Sequence, residues 1–314
     1  VSIIEQAARR LEELRRSGVD VTAVGTRGAP AQNGSGPARP QRGEAPSSVV
    51  RGIGSAAGGP SQAAARAPGK PSKLVQIDLA HLAAMGYLTP ETPREQIADE
   101  FRVIKRPLLD NVNRQGPGAV ERANLLMVTS SLPGEGKTFV SINLAMSLAM
   151  ELDTTVLLVD ADVSRPSVLS RLGLPQSPGL LDLLANPALE MSEVMLRTSI
   201  EKLSILPAGM PQGRATEMLA SDSMDRLLDE LASRYADRII VFDAPPLLPS
   251  TESRVLATHM GQVVLVVEAE KTPQKSVTQA LATIEACPVV LPLLNKISRS
   301  EVGSYYGYYG PLEG

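Results

Sequence analysis

Tryptophan is absent from this 314-residue chain, phenylalanine occurs three times, and cysteine once. The lone Cys287, beside Ala286, Val289 and Val290, excludes an intrachain disulfide framework and fits a reducing compartment. His81 and His259 are isolated from each other and from the cysteine, so no zinc-type ligand set can be read. No apolar run approaches the roughly 18 residues of a membrane span; the longest, Val263–Val267 and Val289–Leu294, have strand length. A secretory leader pattern is missing too. Excess charge is lacking: the formal net charge is −3, which points to neither nucleic acid nor an acidic substrate. The expectation is a cytoplasmic chain, with any membrane association made through a partner or a surface helix.

What is present is an apolar fraction of 43%, ample for a large core. The organising stretch is Leu125 to Thr138, Leu-Leu-Met-Val-Thr-Ser-Ser-Leu-Pro-Gly-Glu-Gly-Lys-Thr. It reads as a buried strand, a loop of small residues and a helix start, the order a phosphate site requires. Backbone N–H groups of such a loop face the phosphates. Gly134 and Gly136 allow close approach, Lys137 reaches the β/γ oxygens, and the Thr138 hydroxyl can ligate Mg²⁺. The expected nucleotide contacts run through Pro133, Gly134, Glu135, Gly136, Lys137, Thr138 and Phe139. The usual first glycine of the motif is Ser131 here.

The chain before this stretch divides in two. Residues 1–18 place Ile3, Ile4, Ala7, Ala8, Leu11 and Leu14 at helical spacing, an amphipathic helix ended by Gly18 and suited to docking. Residues 19–73 read as a disordered linker, since roughly two-thirds of positions 21–72 are Gly, Pro, Ala or Ser. Order is expected from Leu74, with a short helix over 77–85 closed by Gly86 and a longer one over 93–111. In the latter, Ile97, Phe101 and Ile104 share a face, and Arg102, Lys105 and Arg106 cluster beside Asp99 and Glu100.

Strands then alternate with helices, strands near 125–130, 155–160, 203–207, 238–243, 262–267 and 288–294, and helices near 137–151, 179–185, 222–235 and 274–286. That pattern predicts a parallel sheet covered by helices on both faces, with ligands at the carboxyl ends of the strands. Two strand ends are acidic. Thr155–Val159 runs into Asp160-Ala-Asp162, and Arg238–Phe242 runs into Asp243. Asp243 has the position of a metal-supporting acid, and the 160/162 pair could divide metal binding from base work. Asn295, ending the last strand, is a candidate for base recognition or an ordinary turn residue. After a domain ending near 298, residues 299–314 form a tail in which Tyr305, Tyr306, Tyr308 and Tyr309 lie among glycines. A Gly-spaced segment has nothing to pack into, so the tyrosines read as phosphate acceptors or as aromatic stickers.

Together, Ser-Leu-Pro-Gly-Glu-Gly-Lys-Thr, Leu-Val-Asp-Ala-Asp-x-x-Arg-Pro, Ile-Val-Phe-Asp-Ala-Pro-Pro and the tyrosine cluster resemble a bacterial tyrosine kinase (BY-kinase), with the fold of deviant-Walker P-loop ATPases. Ser-Ile-Ile-Glu-Gln-Ala-Ala-Arg-Arg-Leu-Glu-Glu-Leu-Arg-Arg and Asp-Glu-Phe-Arg-Val-Ile-Lys-Arg-Pro-Leu-Leu are similar to the subgroup tied to exosortase and exopolysaccharide loci. The resemblance implies ATP and Mg²⁺, with Lys137 and Thr138 on the phosphates and metal, Asp243 and Asp162 supporting the metal, and Asp160 as base toward a tyrosine hydroxyl. It implies autophosphorylation of the tail, preferentially in trans, within a ring-like homo-oligomer joined through an E-x-x-R-x-x-R helix. The counterpart here is Asp99-x-x-Arg102-x-x-Lys105. A separate membrane-embedded chain-length-determinant (polysaccharide copolymerase) protein and a tyrosine phosphatase are the implied partners, at the inner membrane. Two alternatives stay open. One is a partitioning or septum-site switch ATPase, whose extra loop lysine is Leu132 here. The other is a low-turnover nucleotide-binding scaffold.

Overall fold

A computed structural model describes residues 72–91, 96–235 and 238–297, apart from the side chain of Arg234. All belong to the second of two compact units, Ala64–Gly314. The expected N-terminal helix, nearly all of the linker, and the tyrosine cluster lie outside the described residues.

The elements in order are β1 (Lys73–Val75), α1 (Leu79–Ala84), α2 (Gln96–Asn113), β2 (Leu125–Ser130), α3 (Lys137–Ala149), β3 (Thr155–Asp160) and α4 (Val168–Arg171). There follow α5 (Leu180–Ala185), α6 (Met191–Val194), β4 (Leu196–Thr198), β5 (Leu203–Leu206), α7 (Ala215–Leu219) and α8 (Asp222–Arg234). The last are β6 (Arg238–Asp243), α9 (Thr251–Thr258), β7 (Gln262–Glu268), α10 (Gln274–Ala282) and β8 (Val289–Asn295). The eight strands form one sheet in the order β1-β4-β5-β3-β6-β2-β7-β8.

Every described strand pair is parallel except β4–β5, which is antiparallel. The expectation of a parallel sheet needs that correction. Four residues separate β4 from β5, room for a reversal but not for a crossover helix. β1, at the edge, and β4 beside it are themselves three-residue elements, too short for an alternating pattern to announce them.

Alternation along the central strands feeds two cores. Leu126 and Val128 of β2 face one side with Leu82, Phe101, Leu108, Ile142 and Met146; Leu125 and Met127 face the other with Leu180, Met224, Leu228, Leu256 and Ile284. Both faces of the sheet are therefore helix-covered, which is why the strands read as unbroken apolar runs.

Helix α3 is buried along almost its whole length. Two ammonium groups serve its C-terminal end, one on the last turn, the negative end of the helix dipole, and one on the turn just beyond it. Lys105 Nζ of α2 donates to Ser147 O at 2.7 Å and pairs with Glu151 at 2.7 Å. Lys202 Nζ donates to Leu152 O at 3.1 Å and to Glu151 O. Lys105 is only 6% exposed, although it was expected on an oligomer surface with Asp99 and Arg102. It is turned inward because the Phe101–Lys105–Leu108 stripe of α2 packs against α3; Asp99 and Arg102 form an exposed ion pair on the opposite side.

Lys105→Met should destabilise the fold by about 1–3 kcal/mol, since it strips a buried charge-assisted bond from the end of α3. Arg102→Met, at an exposed pair, should cost under about 1 kcal/mol. Urea denaturation of the two variants beside the parent chain measures the difference.

Candidate active site

Three adjacent strand ends build the site. Asp160 at the end of β3 is in register with Asp243 at the end of β6, and Asp243 is in register with Val128 of β2. The loop after β2 then carries the chain to α3. Gly136 caps α3 with φ 100°, and a Cβ there would meet Asn295 Nδ2 at 2.2 Å, so only glycine fits. The first N–H groups of α3 have no helical acceptor and form an anion-binding end.

The loop is braced from outside through its carbonyls. Asn295 Nδ2 donates to Glu135 O at 2.9 Å and Lys296 Nζ donates to Gly134 O at 2.7 Å. The buried Glu135 carboxylate accepts from Leu132 N at 2.7 Å and from the Thr272 hydroxyl. Of the expected nucleotide contacts, Glu135 and Phe139 thus offer only their backbone N–H groups. The Phe139 ring stacks on Tyr87, centroids 5.0 Å apart. Pro133 has no N–H to give.

Inside the loop lies a charge cluster. Lys137 Nζ is 2.6 Å from Asp162 Oδ2 and 4.0 Å from Asp243 Oδ1. Thr138 Oγ1 donates to Asp243 Oδ2 at 2.7 Å, and Ser141 Oγ donates to Asp243 Oδ1 at 3.0 Å. Ser167 Oγ is 3.1 Å from Thr138 Oγ1, and Ser167 N and Val168 N both donate to Asp160 Oδ2 at 3.0 Å. The other Asp160 oxygen, Oδ1, is buried with no partner. Ser141 and Ser167 were missed from sequence. Ser141 is one turn beyond Lys137, and Ser167 directly follows Arg165-Pro166; both spacings were visible, but hydroxyls there have ordinary helix-capping uses.

Three carboxylates against one lysine leave a formal excess of two negative charges in a buried space. Burial, then the neighbouring Asp243 carboxylate, pushes Asp160 up to about 7, against the pull of its two backbone N–H donors. Asp243 is raised by burial as well, opposed by Lys137, Thr138 and Ser141. Burial alone would lower Lys137, but Asp243 and Asp162 outweigh it and hold the ammonium firmly protonated.

The residues fit a divalent cation. Asp160 keeps an unpartnered buried carboxylate oxygen, its cross-strand neighbour Asp243 is already bonded to the Thr138 hydroxyl, and the local charge is short by two. Among the described residues no three carboxylate, imidazole or thiolate groups form a complete cage. Mg²⁺ needs none, because it keeps waters and phosphate oxygens and takes one or two protein ligands.

Residues 125–291 match a family model described as an AAA domain. CapB of Staphylococcus aureus, assigned as a tyrosine-protein kinase, is 30% identical over 222 residues, covering 70% of this chain and 93% of CapB. The chain belongs to the bacterial tyrosine-protein kinases. It aligns with the crystal structure of the VpsO kinase domain at a TM-score of 0.54 and 30% identity, over 65% of this chain and all of that one. EpsB of Ralstonia nicotianae, also assigned as a tyrosine-protein kinase, is 30% identical over 75% of this chain, but the chain spans only 31% of EpsB. This kinase chain therefore matches about a third of some relatives and nearly the whole of others.

The Asp160 carboxyl holds its proton in the folded chain at pH values where the unfolded chain has lost it. Its contribution to stability is therefore lost as pH rises from about 4 through about 7. Asp160→Asn should raise the stability of the nucleotide-free protein at pH 8 by about 1–3 kcal/mol, a gain that shrinks to nothing near pH 4. Denaturant titrations in EDTA across that range test the sign. Mg²⁺ added at pH 8 should stabilise the parent chain more than the variant.

Proposed function

We propose that this kinase is an ATP-dependent autokinase that transfers phosphate to Tyr305, Tyr306, Tyr308 and Tyr309, from one copy of the chain to another. The observation that carries the reading is the unpartnered Asp160 oxygen, buried beside Lys137, Thr138 and Asp243. A carboxylate raised to about 7 is matched to accepting a phenolic proton near neutrality. ATP phosphates would enter along the α3 N-terminus and draw Lys137 off Asp162, which then becomes free to support the metal with Thr138 and Asp243. Mg²⁺ would supply neutralisation of the phosphate charge. As the tyrosine oxygen bonds to the γ-phosphorus, its proton passes to Asp160 and the bond to the β,γ-bridging oxygen breaks, releasing ADP.

The wider role follows from the resemblance to exopolysaccharide-associated kinases. The chain would control polysaccharide synthesis or export with a membrane-embedded chain-length-determinant protein, in a ring-like homo-oligomer, and a tyrosine phosphatase would reset the tail. No helix among the described residues is long and apolar enough to cross a membrane. Within the ring surface, Asp99 and Arg102 remain the exposed candidates.

Purified chain given Mg²⁺-ATP should gain phosphate on Tyr305–Tyr309 by intact-mass and peptide mass spectrometry, and Lys137→Met should gain none. Mixing Lys137→Met with an active chain whose four tail tyrosines are phenylalanine should put phosphate on the inactive copy. ATP hydrolysis with a bare tail, in the presence of the partner's cytoplasmic segment, would overturn the autokinase in favour of a switch ATPase.

A further inference from the structure

At the opposite end of the same strands lies a cavity of about 230 Å³, part of its wall apolar through Val156, Ile200 and Leu203. Thr155 of β3, Arg197 of β4, Ser204 of β5, Arg238 of β6 and the turn residues Glu201 and Lys202 line it. The sheet register places these groups together. Arg197 is opposite Ser204 across β4–β5, and Thr155 is opposite Arg238 across β3–β6. Strands β3 and β6 carry Asp160 and Asp243 at their far ends, so at about 3.3 Å per residue the two sites stand roughly 17 Å apart.

Arg238 is held without being neutralised. Its guanidinium lies 4.9 Å over the Tyr235 ring, and Nη1 is 3.8 Å from Met195 Sδ. Its Nε–H is buried and has no acceptor. Guanidinium groups that line a cavity normally meet a carboxylate or another oxyanion. Lys202 spends two donors on Glu151 O and Leu152 O and keeps a third. Glu201, the one carboxylate in the lining, is exposed. Three cations and two hydroxyls around so small a space suit a compact polyvalent anion.

We infer that this cavity binds a phosphoryl anion, a diphosphate or phosphate group, through Arg238, Arg197 and Lys202. The volume is below the roughly 300 Å³ of ordinary small-molecule pockets, which excludes a nucleotide and leaves room for one or two phosphoryl units. Bidentate guanidinium contacts supply the recognition, with the Thr155 and Ser204 hydroxyls beside them. The site belongs to the β4–β5 hairpin and the adjoining starts of β3 and β6, and shares no residue with the phosphate loop.

The test uses the full chain saturated with Mg²⁺-ADP, so that the phosphate loop is filled. Pyrophosphate and inorganic phosphate are titrated separately while the Arg238 Nε–H resonance, assigned by its loss in Arg238→Lys, is followed by NMR. The expected result is a saturable shift with Kd below about 5 mM, weakened at least about tenfold by Arg197→Gln, an exposed and fold-neutral change. Saturation by pyrophosphate alone identifies a diphosphate site; saturation by both shows that one phosphoryl group suffices. A resonance that neither anion moves, or that moves identically in Arg197→Gln, overturns the inference.

Discussion

Three carboxylates stacked against one ammonium group set the terms for the rest of this protein. Asp160, Asp162 and Asp243 reach the same buried space because β3 and β6 are neighbours in exact register and end together. Left to Lys137 alone, the cluster keeps an excess of negative charge, and the protein accommodates it by protonation of Asp160 and by hydroxyl and backbone donors on Asp243 and Asp160. Such a site is strained toward ligand binding. A divalent cation would relieve the imbalance, so stability and metal affinity draw on the same free energy.

The centre of this arrangement was legible from the residues. An apolar run, a glycine-containing loop and Lys137-Thr138 locate a strand, a turn and a helix start, because only glycine tolerates the backbone angles at positions 134 and 136. The acidic strand ends were equally plain. Other parts carried no local signal. The antiparallel β4–β5 pair depends on a connection too short for a crossover, and β4 itself has three residues. Lys105 read as an interface charge because it completes the Asp99-x-x-Arg102-x-x-Lys105 spacing; its burial depends on the carbonyl end of a helix about forty residues away. Ser141 and Ser167 matter through contacts that spacing alone does not distinguish from caps.

Helix α3 unites these observations. Its N-terminal end faces the phosphate site, Lys105 from α2 bonds its last turn, and Lys202 from the β4–β5 turn holds the segment just beyond it. Both lysines reach across from elements remote in sequence, so the rod that carries Lys137 and Thr138 is fixed at the end away from the chemistry. A slide of α3 along its axis would break both clamps at once, which favours a stationary helix and leaves adjustment to the side chains of Lys137 and Asp162.

The margins of the sheet have a consequence for how copies of this chain can meet. One margin is β1, only three residues long; the other is β8, interrupted by Pro292. A three-residue ladder offers few hydrogen bonds to an incoming strand, and a proline offers none at its own nitrogen. Lateral growth of the sheet is thereby blocked on both sides. Contacts between copies through the described residues would fall to side-chain surfaces, which can be made and undone without building a fibre.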